Sequence, residues 1–320
     1  MKLFDENIIL TKPTMFFIGV TTHNSFINTV FNEWLNIIGK DAELIGVNLD
    51  LNCPNEDYVK IVSFIKNNPF VLGALVTTHK VNLYNSTFHL FDFLPNTCKE
   101  FREIGCIYKS DNKLTAEVTD IISVRLALTS FLSNNYFLHI KSEFCILGAG
   151  GAGIALAYRI LTDKNHKPNK LIITDISSER IESASNILSK YDSEKLLETI
   201  KVENNNTDEI IEKLSSGSVI VNATGLGKDK KGTPFSEKIN LPSRCYFWDF
   251  NYRGNLTFLE IAKQQADRKN LIVLDGWIYF IHGWTQVISK VFHIDNIESY
   301  FIEFLKIADI KKTETEKGST

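Results

Sequence analysis

Phe144-Cys145-Ile146-Leu147-Gly148-Ala149-Gly150-Gly151-Ala152-Gly153 decides the fold. Four apolar residues run straight into a glycine cluster, and Ile154-Ala-Leu-Ala-Tyr-Arg-Ile-Leu161 continues with helical character. The reading is strand, tight turn, helix, with Gly-x-Gly-x-x-Gly at Gly148, Gly150 and Gly153. The first glycine permits the turn, and the second lets a pyrophosphate approach the backbone. The third lets helix and strand pack closely, while the helix N-terminus presents free N–H groups. Leu171-Ile-Ile-Thr-Asp175 then ends a second strand on a carboxylate, 22 residues past Gly153. A carboxylate there accepts hydrogen bonds from adenosine ribose hydroxyls and repels a 2′-phosphate. Ile176 adds no positive charge, so NAD is expected over NADP, although Arg180 stands within reach of a phosphate. The bland alternatives are a plain glycine turn and a surface acid.

Working outward, strands are expected at 143–147, 170–175, 197–202, 218–222, 245–249 and 271–274, with helices at 152–163, 178–190, 207–214 and 256–267 between them. That alternation is a doubly wound α/β (Rossmann) domain. Upstream, strands at 15–20, 43–48 and 70–76 alternate with helices at 26–38 and 55–67, which favours a mostly parallel sheet. Residues 81–103 read as helical or irregular, 105–109 and 113–117 as short strands, and 121–133 as a helix. After Asp275-Gly276, helices at 277–293 and 297–309 return to the first domain. The expected organisation is therefore α/β with two domains. Residues 1–121, completed by 277–310, form a substrate-binding domain, and 122–276 bind NAD(P). Residues 311–320 form a charged, disordered tail. No internal repeat is present.

Bulk properties narrow the function classes. The chain has 320 residues, 44% hydrophobic and 23% charged, with a net charge of −3. No long basic run argues for nucleic acid or an anionic membrane. Acids interrupt the apolar residues near the N-terminus, which lacks a signal-peptide pattern, and no apolar run reaches spanning length. Five scattered cysteines form no CxxC pair and no zinc-spaced cluster, so reduced thiols, a cytoplasmic location and no metal are expected.

Several residues could carry chemistry. Lys80 follows a strand, at the end where α/β sheets place their ligands; its alternative is a solvated lysine at a helix start. Asp120 precedes an apolar helix and reads either as an N-cap or as a partner for a lysine. Asn222-Ala223-Thr224 leads from a strand into a glycine loop, either lining the nicotinamide side of a cofactor or forming an ordinary turn. Ser25, with Thr21, Thr22 and His23, is a polar cluster suited to a carboxylate or hydroxyls, or to helix capping. For His23 and His79 both a substrate contact and a solvated ring are open.

With these residues in view, the chain resembles the shikimate dehydrogenase family, including shikimate/quinate dehydrogenases, over nearly its whole length. Gly19 to Ser25 resembles that family's Ser-x-Ser substrate-carboxylate segment. Gly73-Ala-Leu-Val-Thr77-Thr-His-Lys80 resembles its Gly-x-Asn-Val-Thr-x-Pro-x-Lys. Val118-Thr-Asp120 resembles its Asn-Thr-Asp, and Gly148–Gly153 its cofactor loop. Asn222-Ala223-Thr224, Asp249-Phe-Asn-Tyr252 and Asp275-Gly276 match later segments. The resemblance implies an NAD(P)-dependent dehydrogenase acting on CH–OH, with Lys80 and Asp120 catalytic. It implies substrate contacts from His23, Ser25, Thr77, Tyr108, Tyr252 and Gln286. Cofactor contacts are implied from Gly148, Ala149, Gly150, Gly151, Ala152, Gly153, Asp175, Arg180, Asn222, Ala223, Thr224 and Gly276.

The departures concentrate in the substrate segments. The first serine of Ser-x-Ser is His23, and the asparagine of Asn-Val-Thr is Leu75, with one residue deleted before the lysine. The substrate-binding asparagine falls on Tyr108, and the asparagine before Thr-Asp on Val118. The last helix's glutamine falls on Gly283, with Gln286 one turn later. Losing matched polar groups loses affinity for a polyol, so the expected substrate is a small cyclic hydroxy acid other than shikimate, handled by a monomer or homodimer. The alternative is a decayed ligand or NAD sensor on the same scaffold. A methylene-tetrahydrofolate dehydrogenase-like reading fails because Val76 stands where that family's Tyr-x-x-x-Lys needs tyrosine.

Overall fold

The computed structural model describes Phe4, residues 7–203, 206–228 and 231–318. The chain divides into two compact units, residues 1–119 with 283–320, and residues 120–282. The first division falls beside the expected 121/122 boundary. The return falls within a continuous helix, Trp277–Phe292, rather than at 276/277.

In the first unit, β1 (Thr14–Gly19), β2 (Glu43–Asn48) and β3 (Val71–Val76) pair in parallel. Helices α1 (Ile27–Ile37) and α2 (Asn55–Asn67) make the crossovers. Every residue of β1 is buried, as the central strand of a covered parallel sheet should be. The stretch after β3 forms α3 (Lys80–Thr87) and α4 (Asn96–Phe101). Antiparallel β4 (Cys106–Ser110) and β5 (Lys113–Glu117) follow, completing the order β2-β1-β3-β4-β5. Gly73 permits the β3–β4 approach: a Cβ there would collide with the Ile107 carbonyl and lie 2.9 Å from Val291 Cγ2.

The second unit opens with α5 (Asp120–Thr129) and a short α6 (Tyr136–His139), which the apolar pattern does not foresee. Its strands are β6 (Glu143–Leu147), β7 (Lys170–Asp175), β8 (Leu197–Lys201), β9 (Val219–Asn222), β10 (Tyr246–Asp249) and β11 (Ile272–Leu274). Helices α7 (Gly151–Thr162), α8 (Ser178–Leu188), α9 (Asn206–Glu212) and α10 (Thr257–Lys269) alternate with the strands. All neighbours are parallel, in the order β11-β10-β9-β6-β7-β8. This is the doubly wound order, and the chain reverses direction across the sheet between β6 and β9. Ligands of such sheets bind outside the strand ends at that reversal.

Helix α11 (Trp277–Phe292) leads to α12 (Phe301–Gly318). The charged stretch 311–318, expected to be disordered, continues α12 instead. Lys311 reaches Glu33 at 3.1 Å and Glu314 at 3.5 Å, and Thr313 and Thr315 donate to carbonyls one turn back. Side-chain pairs at helical spacing hold what a composition argument reads as a tail. Residues 319 and 320 lie outside the described residues. No helix among the described residues is long and apolar enough to cross a membrane.

Candidate active site

The reversal between β6 and β9 brings two loops together. After β6 the chain turns at Gly148, whose φ is +109°. A Cβ there would lie 2.8 Å from the Ala223 carbonyl and 2.9 Å from Thr224 N, so the loop after β9 rests directly on it. A Cβ at Gly153 would collide with the Gly148 carbonyl oxygen. Gly150 differs: its backbone is extended (φ −81°, ψ 179°), and no heavy atom lies within 4 Å of the Cβ position. Two glycines therefore serve packing, while the third faces open space at the start of α7. The first N–H groups of that helix have no partners within it, which suits an anionic group approaching the Gly150 backbone.

Asp175 is buried at 7% exposure, because its carboxylate ties the loop together. Its Oδ2 accepts from Ala149 N at 2.9 Å and its Oδ1 from Ser177 N at 2.9 Å. Arg180, in the first turn of α8 and largely exposed, has Nη1 at 3.7 Å from Asp175 Oδ2. Each oxygen thus accepts one backbone N–H, and a carboxylate oxygen has two acceptor sites. Ile176 is 79% exposed beside it, an apolar surface without charge.

After β9, Asn222 is fully buried and organises residues 222–227. Its Oδ1 accepts from Thr224 N (3.1 Å) and Thr224 Oγ1 (2.6 Å), and its Nδ2 donates to Asp249 Oδ2 (3.1 Å). Asp249, which sequence reasoning placed in a motif without giving it a role, belongs to this hydrogen-bond set. Its signal was an acid closing an otherwise apolar strand. Burial, opposed by hydrogen bonds from Asn251 and Asn222, pushes its carboxyl up to about 7. A Cβ at Gly276 would collide with the Phe250 carbonyl, and Gly276 N donates to Asn251 O at 2.9 Å. Gly276 thus allows two chain segments to touch at the sheet's end. Beside them Tyr252 packs its ring, tilted, against Phe280 (centroids 4.2 Å apart) and Trp277 (5.6 Å).

The first unit carries the other half of the predicted set. Lys80 begins α3, half-buried, and its carbonyl accepts from Ile104 N at 3.2 Å. A Cβ at Gly105 would lie 3.6 Å from Lys80 Nζ and 3.4 Å from Thr119 Oγ1, so a side chain there would crowd the ammonium. The turn before Lys80 is strained: Thr78 has φ +63°, and His79 N donates to Thr77 O at 2.6 Å across it. His79, for which a solvated ring was one expectation, is 1% exposed. Its Nε2 donates to Leu49 O (3.2 Å), which makes Nδ1 the acceptor from Tyr58 OH (2.8 Å). Burial lowers its pKa, keeping it neutral.

His23 is exposed and Ser25 half-buried around a 3-10 turn, Thr22–Asn24, while Thr22 is the buried anchor. Thr22 N and Oγ1 both donate to Asn48 Oδ1, at 2.7 and 2.8 Å. A Cβ at Gly19 would lie 2.8 Å from Thr77 Cγ2 and 3.3 Å from Thr22 Cγ2, so these two threonines close over that glycine. Tyr108 pairs with Gly73 across β3–β4; burial and the Glu117 charge push its hydroxyl up to about 12. Gln286, on α11, is 6% exposed, and among the described residues its buried Nε2 has no hydrogen-bond partner. The structure thus places Lys80, Thr77, Tyr108, Ser25, His23 and Gln286 in one unit, and the glycine loop, Asp175, Asn222, Thr224 and Tyr252 in the other. Asp120, 9% exposed, is the first residue of the second unit. Among the described residues no group of three or more His, Cys, Asp or Glu could hold a metal ion.

Fold and loop geometry define the class, a two-unit α/β protein whose second unit is a doubly wound parallel sheet with a glycine-rich β6–α7 turn. No protein-family model matches the chain. A curated NADP(+) shikimate dehydrogenase of Dictyoglomus turgidum is 26% identical over 227 residues, 68% of this chain and 72% of that protein. The crystal structure of shikimate dehydrogenase from Aquifex aeolicus aligns with TM-score 0.70 at 20% identity, covering 92% of this chain and 99% of that one. Quinate dehydrogenase from Corynebacterium glutamicum, in complex with NAD, aligns with TM-score 0.69 at 17% identity over 92% and 99%. In fold and in sequence likeness the chain is shikimate/quinate dehydrogenase-like.

Proposed function

We propose that the chain is an NAD(H)-linked oxidoreductase that transfers hydride between the nicotinamide and the CH–OH or ketone carbon of a small cyclic hydroxy acid other than shikimate. The observation that carries the reading is Gly150. It stands at the sheet's reversal point, with open space where a side chain would be, between two glycines that the fold itself consumes. Gly148 to Gly153 would hold the pyrophosphate, and Asp175 the adenosine ribose. Asn222, Ala223, Thr224 and Gly276 would line the nicotinamide side. The dinucleotide supplies the hydride acceptor or donor.

Lys80 carries the proton. In oxidation the amine takes the hydroxyl proton as hydride leaves the same carbon; in reduction the ammonium gives it back to the ketone oxygen. As a cation it stabilises a developing alkoxide. Asp120 orients it. The half-buried Tyr108, at a position where relatives carry an asparagine, supports a substrate less rich in hydroxyls, since a polar site discriminates through its matched partners. Buried Gln286 Nε2 supplies a donor for one substrate oxygen. Asp175 and uncharged Ile176 favour NAD, whereas Arg180 leaves a route to a 2′-phosphate that the named relative's NADP(+) makes worth testing.

The test is a screen of cyclic hydroxy acids, shikimate and quinate included, with NAD and NADP, monitoring reduced cofactor. Lys80→Ala is expected to abolish turnover while cofactor affinity stays within about threefold, the proton carrier being separable from the binding residues. Full activity of Lys80→Ala would sink the mechanism. Cofactor binding without turnover on any substrate would favour the sensor reading.

A further inference from the structure

We infer that Asp249 is a positioning residue of the cofactor pocket: its carboxylate selects the amide orientation of Asn222 and thereby sets the 222–227 loop against Gly148. The inference rests on the dinucleotide reading for its functional consequence, and on hydrogen-bond polarity for its substance.

Asp249 closes β10 directly opposite Asn222, the last residue of β9, and both are fully buried. Asp249 Oδ1 accepts from Asn251 N at 2.8 Å, and Oδ2 from Asn222 Nδ2 at 3.1 Å. Beyond Asn222 every bond has a fixed sense. Its Oδ1 accepts two donors from Thr224, whose Oγ1 accepts from Leu226 N at 3.1 Å. The Leu226 carbonyl closes the circuit, accepting from Asn222 Nδ2 at 3.2 Å and Asn251 Nδ2 at 2.9 Å.

Flipping the Asn222 amide would turn its N–H₂ toward the Thr224 N–H and its oxygen toward the Asp249 carboxylate. Both contacts would be repulsive. An ionised carboxylate has acceptors only, so it imposes the observed orientation. Burial, with the acid of Asp275, raises its pKa to about 7 while hydrogen bonds from Asn251 and Asn222 hold the charged form, so the selection is complete above that pH. Ala223 and Thr224 are the atoms nearest the Cβ position of Gly148, so a shift in this loop is transmitted to the first glycine of the cofactor turn. A buried network of this kind specifies one arrangement only when every member is satisfied.

Two variants of the full chain test the inference. In Asp249→Asn the new amide must point N–H at either the Asn251 N–H or Asn222 Nδ2, and neither accepts. The double exchange Asp249→Asn with Asn222→Asp moves the charge and restores complementarity across the pair, because the carboxylate at 222 accepts both Thr224 donors and one amide N–H from 249; the Leu226 carbonyl loses its donor at 222 and keeps the one from Asn251 Nδ2. Binding of NAD and NADP is measured by calorimetric titration, and exchange of the Thr224 amide by hydrogen–deuterium exchange without cofactor. We expect Asp249→Asn to weaken cofactor binding about tenfold or more and to speed Thr224 exchange. The double exchange should recover part of both losses, short of full recovery because the Leu226 carbonyl then faces a carboxylate. Cofactor affinity in Asp249→Asn within twofold of wild type overturns the inference. So does a double exchange as impaired as the single variant, because loss of a structural carboxylate alone predicts no rescue. If Asp249→Asn fails to fold, a folded, cofactor-binding double exchange supports the inference and an unfolded one overturns it. If the wild-type chain binds neither dinucleotide, the functional reading falls, while Thr224 exchange still decides the hydrogen-bond polarity.

Discussion

Replacing Gly150 by alanine adds one methyl group to a backbone that accepts it. The residue's φ and ψ, −81° and 179°, are open to any L-residue, and nothing lies within 4 Å of the new Cβ. Stability should stay level or rise by about 0.4–1 kcal/mol, since alanine restricts the unfolded chain more than glycine does. The same methyl occupies the ground over which a pyrophosphate would approach the first turn of α7. Each backbone N–H to a phosphate oxygen is a charge-assisted bond worth about 1.5–3 kcal/mol. Displacing the ligand enough to lose one predicts NAD(P) binding about ten- to hundredfold weaker, at about 1.4 kcal/mol per factor of ten. Gly153→Ala is the control with the opposite signature: its methyl collides with the Gly148 carbonyl, so melting temperature falls before binding can be asked about. Thermal melts paired with calorimetric titration read both quantities. A Gly150→Ala chain that melts like wild type and binds NAD(P) with wild-type affinity would refute the pyrophosphate assignment.

Two further outcomes are expected. Gln286→Met, which removes a buried amide whose Nε2 has no partner, should raise the melting temperature, by about 1–2 kcal/mol in stability, while reducing turnover; a destabilised variant with full activity would contradict both parts. Burial, assisted by the Arg125 charge, lowers the His282 pKa from 6.5 to about 4. A depressed histidine contributes stability that is present above about pH 6.5 and is lost as pH falls towards 4. Asp249, raised from 3.8 to about 7, contributes in the opposite sense, its stabilisation being lost as pH rises through that window. Replacing His282 by asparagine should therefore leave a chain whose stability relative to wild type grows on acidification from pH 7 to 5, by up to about 1.4 kcal/mol per pH unit. Urea unfolding at the two pH values checks this, and parallel slopes for both chains would reject it.

The central strands of both sheets were legible in the sequence because they are short apolar runs ending in glycine or polar turns. Phe144–Leu147, Leu171–Thr174 and Val219–Val221 are buried throughout, so periodicity, burial and turn chemistry agreed. The parallel order followed from the alternation with helices. The end of the chain was not legible: composition reads 311–318 as a charged tail, and only tertiary placement reveals Lys311 reaching Glu33 on α1. α6 was missed because Tyr136-Phe-Leu-His139 is too short for a helical period to register. In the glycine motif the spacing was legible, but the division of labour was not, since only coordinates separate the colliding positions at Gly148 and Gly153 from the open one at Gly150.

The same limit explains the residues whose role sequence reasoning left open or unassigned, and it says something about how such a site is built. Asp249, His79 and Thr22 are polar residues at strand ends or turns, where sequence habit reads solvent. Each is buried instead, and each fixes the chain beside a residue that the proposed chemistry needs. The His79 ring, held by Tyr58 and Leu49, anchors a turn whose Thr78 sits at φ +63°, so Lys80 begins its helix from a strained but over-determined backbone. Asp249 does the equivalent for Asn222 and Thr224. The proposed chemistry depends on a lysine and a nicotinamide-side loop that are each held in place. Buried hydrogen-bonded polar groups are the means this chain has for that. A polar residue immediately next to a proposed catalytic or cofactor-binding position, in a short segment flanked by apolar strand, is therefore better read as a support than as a second ligand.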